Sequence, residues 1–219
     1  MALALFDLDH TLLDGDSDVL WCEFLLAAGE LDRGFAARNR AMEEQYRAGT
    51  VNAQDFCAFY CSTLAGRTLA EWQPWRERFL ADVIAPRLTP AARGLVEHHR
   101  QAGDRLVLTT ATSRVLTELT ARHLRIADLL ATECEVDAHG RFSGRTRGTP
   151  NMREGKVERL HAWLQVQRAA PDDCHLTVYS DSINDLPLLA AAQQAVAVDP
   201  DEQLAAEAAR RGWPVISLR

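Results

Sequence analysis

Short apolar runs that lack polar alternation restrict the fold of this chain more than any other pattern in its sequence. Strands of this kind are buried on both faces, as in a parallel sheet that helices cover from both sides. The pattern therefore predicts a parallel sheet. The clear runs are Ala2–Leu8, Arg105–Leu108 and Leu176–Tyr179, and the weaker ones are Ala195–Val198 and Pro214–Ser217.

Helical patterns precede or follow these runs and complete an alternation of strand and helix. Such an alternation is typical of α/β proteins, in which helices connect the parallel strands. We therefore predict an α/β fold. The predicted helices are Pro90–Gln101, Ser113–Leu124, Lys156–Gln167 and Asp185–Ala192.

Residues 16–87 break this alternation, because they contain helical stretches and no convincing strand. A connection of this length is too long for an ordinary crossover between strands. We therefore predict a core domain of residues 1–15 and 88–219 and an inserted helical domain of residues 16–87. Its predicted helices are Val19–Ala28, Gly34–Arg47, Ala53–Leu64 and Ala70–Ile84. We assign its aromatic residues Tyr46, Tyr60, Trp72 and Trp75 to the core of that domain rather than to ligand contacts.

The segment Thr132–Thr146 has a different pattern from the rest of the core. Gly140 lies in a turn between two alternating stretches. Alternating residues on both sides of a glycine turn are typical of a β-hairpin. We therefore predict a hairpin here.

The charge of the chain argues against two classes of partner. It carries 31 acidic and 24 basic residues, a formal net charge of −7, and no basic run. Nucleic acids and anionic membranes need a positive surface, so we expect neither as a partner. The sequence does not specify an oligomeric state.

The N-terminus and the cysteines indicate a cytoplasmic protein. The first apolar run meets two aspartates too early for a signal peptide or a membrane span. The five cysteines are odd in number and form no C-x-x-C pair, which fits neither a disulfide framework nor a zinc ribbon. We expect reduced thiols that are at least partly buried.

The first strand ends in Phe6-Asp7-Leu8-Asp9-His10-Thr11-Leu12. Residues two apart on an extended segment point the same way, so Asp7 and Asp9 present neighbouring carboxyl groups that repel each other. A divalent cation or unequal protonation relieves this repulsion, and either indicates an active site. The alternative is a pair of solvated carboxylates that cap a turn.

A second acidic cluster, Val178-Tyr179-Ser180-Asp181-Ser182-Ile183-Asn184-Asp185, also follows an apolar run. Taken alone, it would fit a helix N-cap with an acidic first turn. Ligands of open α/β sheets, however, bind beyond the carboxyl ends of the strands. We therefore expect the two acidic clusters to converge.

Two smaller signals lie between the acidic clusters. Thr109 and Thr110 end the second apolar run with hydroxyl groups, where a strand end and a helix N-terminus could hold an anion. An ordinary N-cap explains the threonines equally well. Lys156 begins a predicted helix without the glycine and hydroxyl residues of a Walker A motif, and a lone helical lysine is usually solvated.

Taken in order, these four elements resemble the motifs of the haloacid dehalogenase superfamily, and the sequences DLDHTLLDGDS and YSDSINDLPLL look most like its phosphoserine-phosphatase-like subfamily. The resemblance covers most of the chain. It implies a Rossmann-like parallel core with helices on both faces and an inserted helical C1-type cap. It also implies a Mg²⁺-dependent phosphatase that acts on a small-molecule phosphomonoester through an aspartyl-phosphate.

The resemblance implies a role for each site residue. Asp7 would be the nucleophile, and Asp9 would protonate the leaving alcohol and then activate water. Mg²⁺ would bind Asp7, the Asp9 main-chain carbonyl and Asp181, with Asp185 in support. Thr110, chosen over Thr109 by alignment, Lys156 and Asn184 would hold the phosphate.

The cap departs from the pattern of phosphoserine phosphatases, which carry a Glu and an Arg for the amino and carboxyl groups of serine. Asp16 stands near the first position, but Phe56-Cys57-Ala58-Phe59-Tyr60 contains no arginine at the second. A buried substrate carboxylate without a partner is costly. A substrate with an amine and no carboxylate fits better, and histidinol phosphate, which some relatives hydrolyse, is one candidate.

Other functions remain open alternatives. They are a phosphoserine phosphatase, a phosphotransferase or mutase on the same core, and a non-catalytic member that binds a phosphometabolite. A dinucleotide-binding protein is rejected, because Gly15 is the only glycine after the first strand and no G-x-G-x-x-G is present.

Overall fold

The computed structural model describes the main chain of residues 1–219 and all side chains except those of Arg47 and Asp172. No helix within this described part is long and apolar enough to cross a lipid bilayer. The strands are β1 (Ala2–Asp7), β2 (Arg105–Ser113), β3 (Asp128–Val136), β4 (Phe142–Arg147), β5 (His175–Ser180), β6 (Gln194–Val198) and β7 (Val215–Ile216). They form one sheet in the order β4-β3-β2-β1-β5-β6-β7, and only the β3–β4 pairing is antiparallel.

Helices precede and follow the strands. The first four are α1 (Ser17–Ala27), α2 (Phe35–Arg47), α3 (Ala53–Cys61) and α4 (Leu69–Phe79). The remaining five are α5 (Pro90–Gln101), α6 (Arg114–His123), α7 (Glu154–Val166), α8 (Leu186–Ala190) and α9 (Glu202–Arg211).

The central strand β1 is covered on both faces, which explains its continuous apolar sequence. Leu3 and Leu5 point to one face and pack with residues of α7, α8 and α9. Ala4 and Phe6 point to the other face and pack with residues of α5 and α6. The predicted α/β sheet with helices on both faces is therefore confirmed.

The chain segments that precede and follow the helical segment α1–α4 lie side by side. Leu13 and Leu88 form an isolated antiparallel bridge, and the Asp14 main-chain N–H donates to the Arg87 carbonyl at 3.0 Å. Trp21 of α1 is fully buried in the same apolar cluster as the sheet residues of β1. The segment thus packs directly against one face of the sheet.

The last helix of this segment ends earlier than predicted. Helix α4 begins with a capping box between Thr68 and Glu71 and stops at Phe79, where a π-helical turn over Leu80–Ile84 replaces the predicted continuation. Pro86 follows closely, and its ring and missing N–H prevent an α-helix from continuing through this point.

Two strands differ from their predicted extents. Strand β2 continues through the threonines to Ser113, because β-branched residues suit a pleated strand. Strand β3 begins at Asp128, before the predicted hairpin, and pairs in parallel with β2. Beyond that pairing, β3 turns back into β4, so the predicted hairpin is confirmed as an extension of the main sheet.

The cysteines are reduced, as predicted. All five are buried and none forms a disulfide. Cys57 and Cys61 both lie on the packed face of α3. Burial raises the pKa of the Cys57 thiol to about 12, so the neutral thiol is the stable form at this site.

Candidate active site

A pocket lies at the carboxyl ends of β1, β2 and β5, where α1, α2 and α3 approach the sheet. It encloses about 520 Å³ of space, including its open mouth. Seven of the eight predicted site residues line it, and Thr110 is the exception. The lining residues are Asp7, Asp9, His10, Asp16, Asp18, Tyr46, Phe56, Ala111, Thr112, Met152, Lys156, Asp181, Ser182, Asn184 and Asp185.

Lys156 holds two carboxylates together at the floor of this pocket. Its Nζ donates to Asp7 Oδ1 at 2.7 Å and to Asp185 Oδ2 at 2.6 Å. The Ser180 hydroxyl also donates to Asp185 Oδ2, at 2.8 Å. Lys156 is the only lysine in the chain, and it lies in the first turn of α7, which aims it at the end of β1. The four residues therefore form one buried network.

Burial and charge act in opposite directions on this network. Burial lowers the pKa of Lys156, but the carboxylates of Asp185 and Asp7 raise it by more, so the net shift is upward. Burial raises the pKa of Asp7 to about 7 against the effect of Lys156, and the neighbouring Asp185 and Asp9 add to the shift. The lysine therefore stays charged, and its charge favours an ionised Asp7.

Thr11 connects Asp7 to Asp181. Its Oγ1 accepts a hydrogen bond from the Asp181 main-chain N–H at 3.0 Å. The same oxygen lies 3.2 Å from Asp7 Oδ2 and 3.3 Å from Asp181 Oδ1. A hydroxyl has one hydrogen, so it can donate to only one of the two carboxylates.

This arrangement leaves the Asp7 and Asp181 pair short of positive charge. Burial raises the pKa of Asp181 well above its usual range, and the charges of Asp7 and Asp185 raise it further. A hard divalent cation bound to carboxylate oxygens would relieve both effects. Among the described side chains, no group of three carboxylate, imidazole or thiol ligands forms a metal site by itself. The pair therefore fits a Mg²⁺ that also takes ligands from the main chain and water.

Asp9 faces a different set of donors from Asp7. Its Oδ1 accepts from the Ser17 main-chain N–H at 2.7 Å, and its Oδ2 accepts from the Thr110 and Thr112 hydroxyls, each at 3.1 Å. His10, with a positive φ of 56°, turns the chain immediately after Asp9. The two aspartates of the first motif thus have separate partners, as different chemical roles require.

The two threonines at the end of β2 point to different neighbours. Thr110 is fully buried, donates to Asp9 and accepts from the Thr112 main-chain N–H. Thr109 accepts from the side-chain amide of Asn151, which also donates to two main-chain carbonyls. Thr110 is therefore the one joined to the pocket residues, but Ala111 and Thr112 form the pocket wall. Its contact with phosphate stays a prediction.

Asn184 lies on the rim of the pocket, in the 3₁₀ turn before α8. Its Oδ1 accepts from Arg153 Nε at 2.9 Å, and its Nδ2 approaches the Ser182 hydroxyl at 3.4 Å. Arg153 thus orients the amide, and no sequence pattern had pointed to this arginine. The proposed contact of Asn184 with phosphate stays a prediction.

Asp16 and Asp18 bring two further carboxylates to the pocket from the start of α1. Asp16 caps this helix, and its Oδ1 accepts from the main-chain N–H groups of Asp18 and Val19 at 2.9 and 3.0 Å. Burial raises the pKa of Asp16 to about 7, and the charge of Asp9 adds to the shift. Sequence reasoning missed Asp18, because an aspartate in the first turn of a helix is common.

Tyr46 packs against the buried cluster of the helical segment, as predicted, and it also lines the pocket. The centroid of its ring lies 4.7 Å from that of Phe56. A tyrosine can pack its ring and expose its hydroxyl, so aromatic periodicity does not separate the two roles. Tyr60 and Trp72 are buried as predicted, and Trp75 packs against the same core from a partly buried position.

The pocket opens into a wider groove towards solvent, with about 1270 Å³ of space including the open side. Asp16 and Tyr46 line both the pocket and the groove. The groove is also lined by Glu43 of α2 and by residues at the start of α9. The mouth of the site is thus acidic on both sides.

Comparisons with known proteins identify the family of the chain. The sequence pattern of the haloacid dehalogenase-like hydrolases matches residues 4–190. A histidinol-phosphatase of Neisseria meningitidis serogroup C is 35% identical over 99% of both chains. A phosphoserine phosphatase of Mycobacterium tuberculosis is 32% identical and aligns over 100% of this chain and 71% of its own length.

Solved structures share the fold. A Bordetella pertussis protein of unknown function superimposes with a TM-score of 0.94 at 42% identity, covering 100% of this chain and 99% of that one. A substrate-bound phosphoserine phosphatase superimposes with a TM-score of 0.71 at 15% identity, over 99% and 92% of the two chains. At that identity the second match supports the fold alone.

The chain belongs to the haloacid dehalogenase-like hydrolases, because the family pattern covers most of its length. The resemblance drawn from the four sequence motifs is therefore confirmed. The two relatives given above are named as a histidinol-phosphatase and a phosphoserine phosphatase.

Proposed function

We propose that this phosphatase of the haloacid dehalogenase family is Mg²⁺-dependent and hydrolyses a small phosphorylated amino alcohol, with histidinol phosphate as the first candidate. The observation that carries the reaction is the buried network of Asp7, Lys156 and Asp185 beside Asp181, at the carboxyl end of the central strand. The predicted cytoplasmic location fits this role and stays a prediction.

Asp7 is the proposed nucleophile. Lys156 holds its Oδ1, which fixes the carboxylate in the pocket and offsets the charge of an approaching phosphate. Attack forms a bond from an Asp7 oxygen to phosphorus while the ester P–O bond breaks. The product is an aspartyl-phosphate, and the leaving alkoxide needs a proton.

Asp9 is placed to move that proton. Its carboxyl group lies in the pocket and is bound by Ser17, Thr110 and Thr112 rather than by Lys156. It protonates the leaving oxygen in the first half-reaction and takes a proton from water in the second. The water oxygen then bonds to phosphorus, the Asp7–phosphorus bond breaks, and both aspartates return to their starting states.

The carboxylates of Asp7 and Asp181 and the Asp9 main-chain carbonyl would hold Mg²⁺, with Asp185 supporting them through Lys156. When bound, Mg²⁺ neutralises the charge that develops between carboxylate and phosphate. Lys156 supplies the same kind of stabilisation from the protein side. Both are needed because Asp7 and phosphate repel each other.

Residues 16–87 form the proposed cap over a core of residues 1–15 and 88–219. The bridge between Leu13 and Leu88 joins the two crossing segments and supports this division. Helices α1, α2 and α3 contribute Asp16 and Asp18, Tyr46, and Phe56 to the pocket. Closure of such a cap would exclude water while the substrate reacts.

The charge of the pocket supports an amine substrate. Among the side chains that the structure describes, Lys156 is the only Lys or Arg that lines the pocket, and it is already paired with Asp7 and Asp185. A substrate carboxylate would therefore meet Asp16 and Asp18 without a cation. This disfavours phosphoserine and favours a substrate such as histidinol phosphate, the substrate that the name of the 35% identical Neisseria relative indicates.

A substrate panel tests the proposed function. We expect phosphate release from histidinol phosphate to require Mg²⁺, to stop with EDTA and to return when Mg²⁺ is restored. Because a substrate carboxylate would lie unpaired beside acidic residues, kcat/KM for phosphoserine should be about a hundredfold lower. Phosphate release by malachite green assay measures both effects. Metal-independent release, or equal use of phosphoserine, would contradict the proposal.

A further inference from the structure

Asp18 is a buried carboxylate that the mechanism above does not use. Its side chain lines the pocket, yet the residue is only 3% exposed, and its Oδ1 has no hydrogen-bond partner among the described residues. Buried polar atoms are normally bonded, so an unbonded carboxylate oxygen needs an explanation. A missing ligand is one such explanation.

The neighbours of Asp18 cannot satisfy it. The Thr112 hydroxyl donates to Asp9 Oδ2 at 3.1 Å, so its single hydrogen is not available to Asp18. Ser17 does not help, because its hydroxyl is directed at Thr112 Oγ1, at 3.0 Å.

No cation of the described chain compensates this charge. None of the described ion pairs involves Asp18, and the lysine of the pocket bonds to Asp7 and Asp185. Asp16 differs, because its Oδ1 already accepts two main-chain N–H groups as the cap of α1. Burial raises the pKa of Asp18 well above its usual range, because the charged form lacks a counter-ion, and a bound cation would favour the charged form again.

We infer that Asp18 binds the ammonium group of the substrate and is a specificity-determining residue of this enzyme, an inference that rests on the proposed function. The class of substrate is a phosphate ester of a vicinal amino alcohol. The Asp18 carboxylate accepts N–H donors from the ammonium. Asp16 lies nearer the mouth and contributes negative charge.

The position of Asp18 fits the covalent geometry of such a substrate. In a vicinal amino alcohol phosphate, two carbon atoms separate the nitrogen from the ester oxygen. The residue that holds the ammonium must therefore lie close to the residue that protonates that oxygen. Asp9 has that second role, and Asp9 and Asp18 line the same pocket.

The experiment compares Asp18→Asn with the wild-type enzyme on two substrates, histidinol phosphate and p-nitrophenyl phosphate, which has no amine. The readout is the ratio of the two kcat/KM values. We expect Asp18→Asn to lower this ratio about a hundredfold, because a desolvated charge pair is lost for only one substrate. Asp82→Asn makes the same change on an exposed residue of the helical segment and should leave the ratio unchanged.

Thermal unfolding separates binding from a structural role. An amide has the shape of the carboxylate without its buried charge, so Asp18→Asn should unfold at a temperature no lower than the wild type. A marked fall in that temperature together with an unchanged ratio would make Asp18 structural. Should Asp18→Asn fail to fold, Asp18→Ser is tested by the same ratio.

The wild-type data and the variant data decide different questions. A wild type that has no preference for histidinol phosphate over an amine-free ester would contradict the proposed substrate and this inference with it. A wild type with that preference, combined with an unchanged ratio in Asp18→Asn, would overturn the role of Asp18 alone. A lowered ratio in Asp18→Asn supports the role of Asp18 in binding the ammonium group.

Discussion

Replacing Asp7 by asparagine is expected to lower kcat for p-nitrophenyl phosphate by about 10⁴-fold or more. The amide oxygen is a poor nucleophile and a weaker metal ligand than the carboxylate. The substitution also removes the negative charge of the Asp7 carboxylate, whose Oδ1 lies 2.7 Å from Lys156 Nζ. Steady-state phosphate release under saturating Mg²⁺ measures the effect.

The fold of Asp7→Asn should survive, because Lys156 keeps its pairing with Asp185. Circular dichroism checks this, and Asp82→Asn, an exposed carboxylate outside the pocket, serves as the control for the chemical change. Turnover by Asp7→Asn within about tenfold of the wild type would rule out Asp7 as nucleophile.

Replacing Lys156 by methionine is expected to damage both stability and activity. Asp7 and Asp185 are almost fully buried and share this one cation, so its loss leaves two carboxylates unpaired. Removing one partner of a buried ion pair commonly costs about 3–5 kcal/mol in free energy of unfolding. The loss of a donor to the phosphate should also lower kcat at least about a hundredfold. Urea unfolding and steady-state kinetics measure the two losses.

Two further variants separate these effects. Lys156→Met combined with Asp185→Asn removes one of the stranded charges and should recover part of the lost stability without restoring activity. Lys156→Arg keeps the charge in a larger, planar group and should be more stable than Lys156→Met while remaining impaired in turnover. Wild-type stability in Lys156→Met would show that the ion pairs contribute little to folding.

Much of the site could be predicted from sequence, because strand ends determine where its residues meet. Asp7 and Asp181 each follow a buried run, and parallel neighbours place their carboxyl ends at one edge of the sheet. The residues next to Lys156 in the sequence did not by themselves predict a role in the site, since a lysine in a helix is usually solvated. Its assignment depended on the order of the four motifs.

The rest depended on contacts that no short pattern encodes. Asp18 looks like an ordinary residue of a helical first turn, and only the packing of α1 on the end of β2 shows that its carboxylate has too few donors. Tyr46 has the spacing of a core residue and packs against the helical cluster, but it also lines the pocket. The approach of both the Thr110 and the Thr112 hydroxyls to Asp9 coincides with the irregular register of β2 between Thr110 and Ser113.

The most direct test is to trap the covalent intermediate. The enzyme is mixed with histidinol phosphate and Mg²⁺, quenched in acid during turnover and treated with borohydride, which reduces a phosphorylated aspartate to homoserine. We expect tandem mass spectrometry to find homoserine at Asp7 and none in substrate-free or Asp7→Asn controls. Homoserine at another aspartate, or none at Asp7 in samples quenched during active turnover, would contradict catalysis through a phosphorylated Asp7.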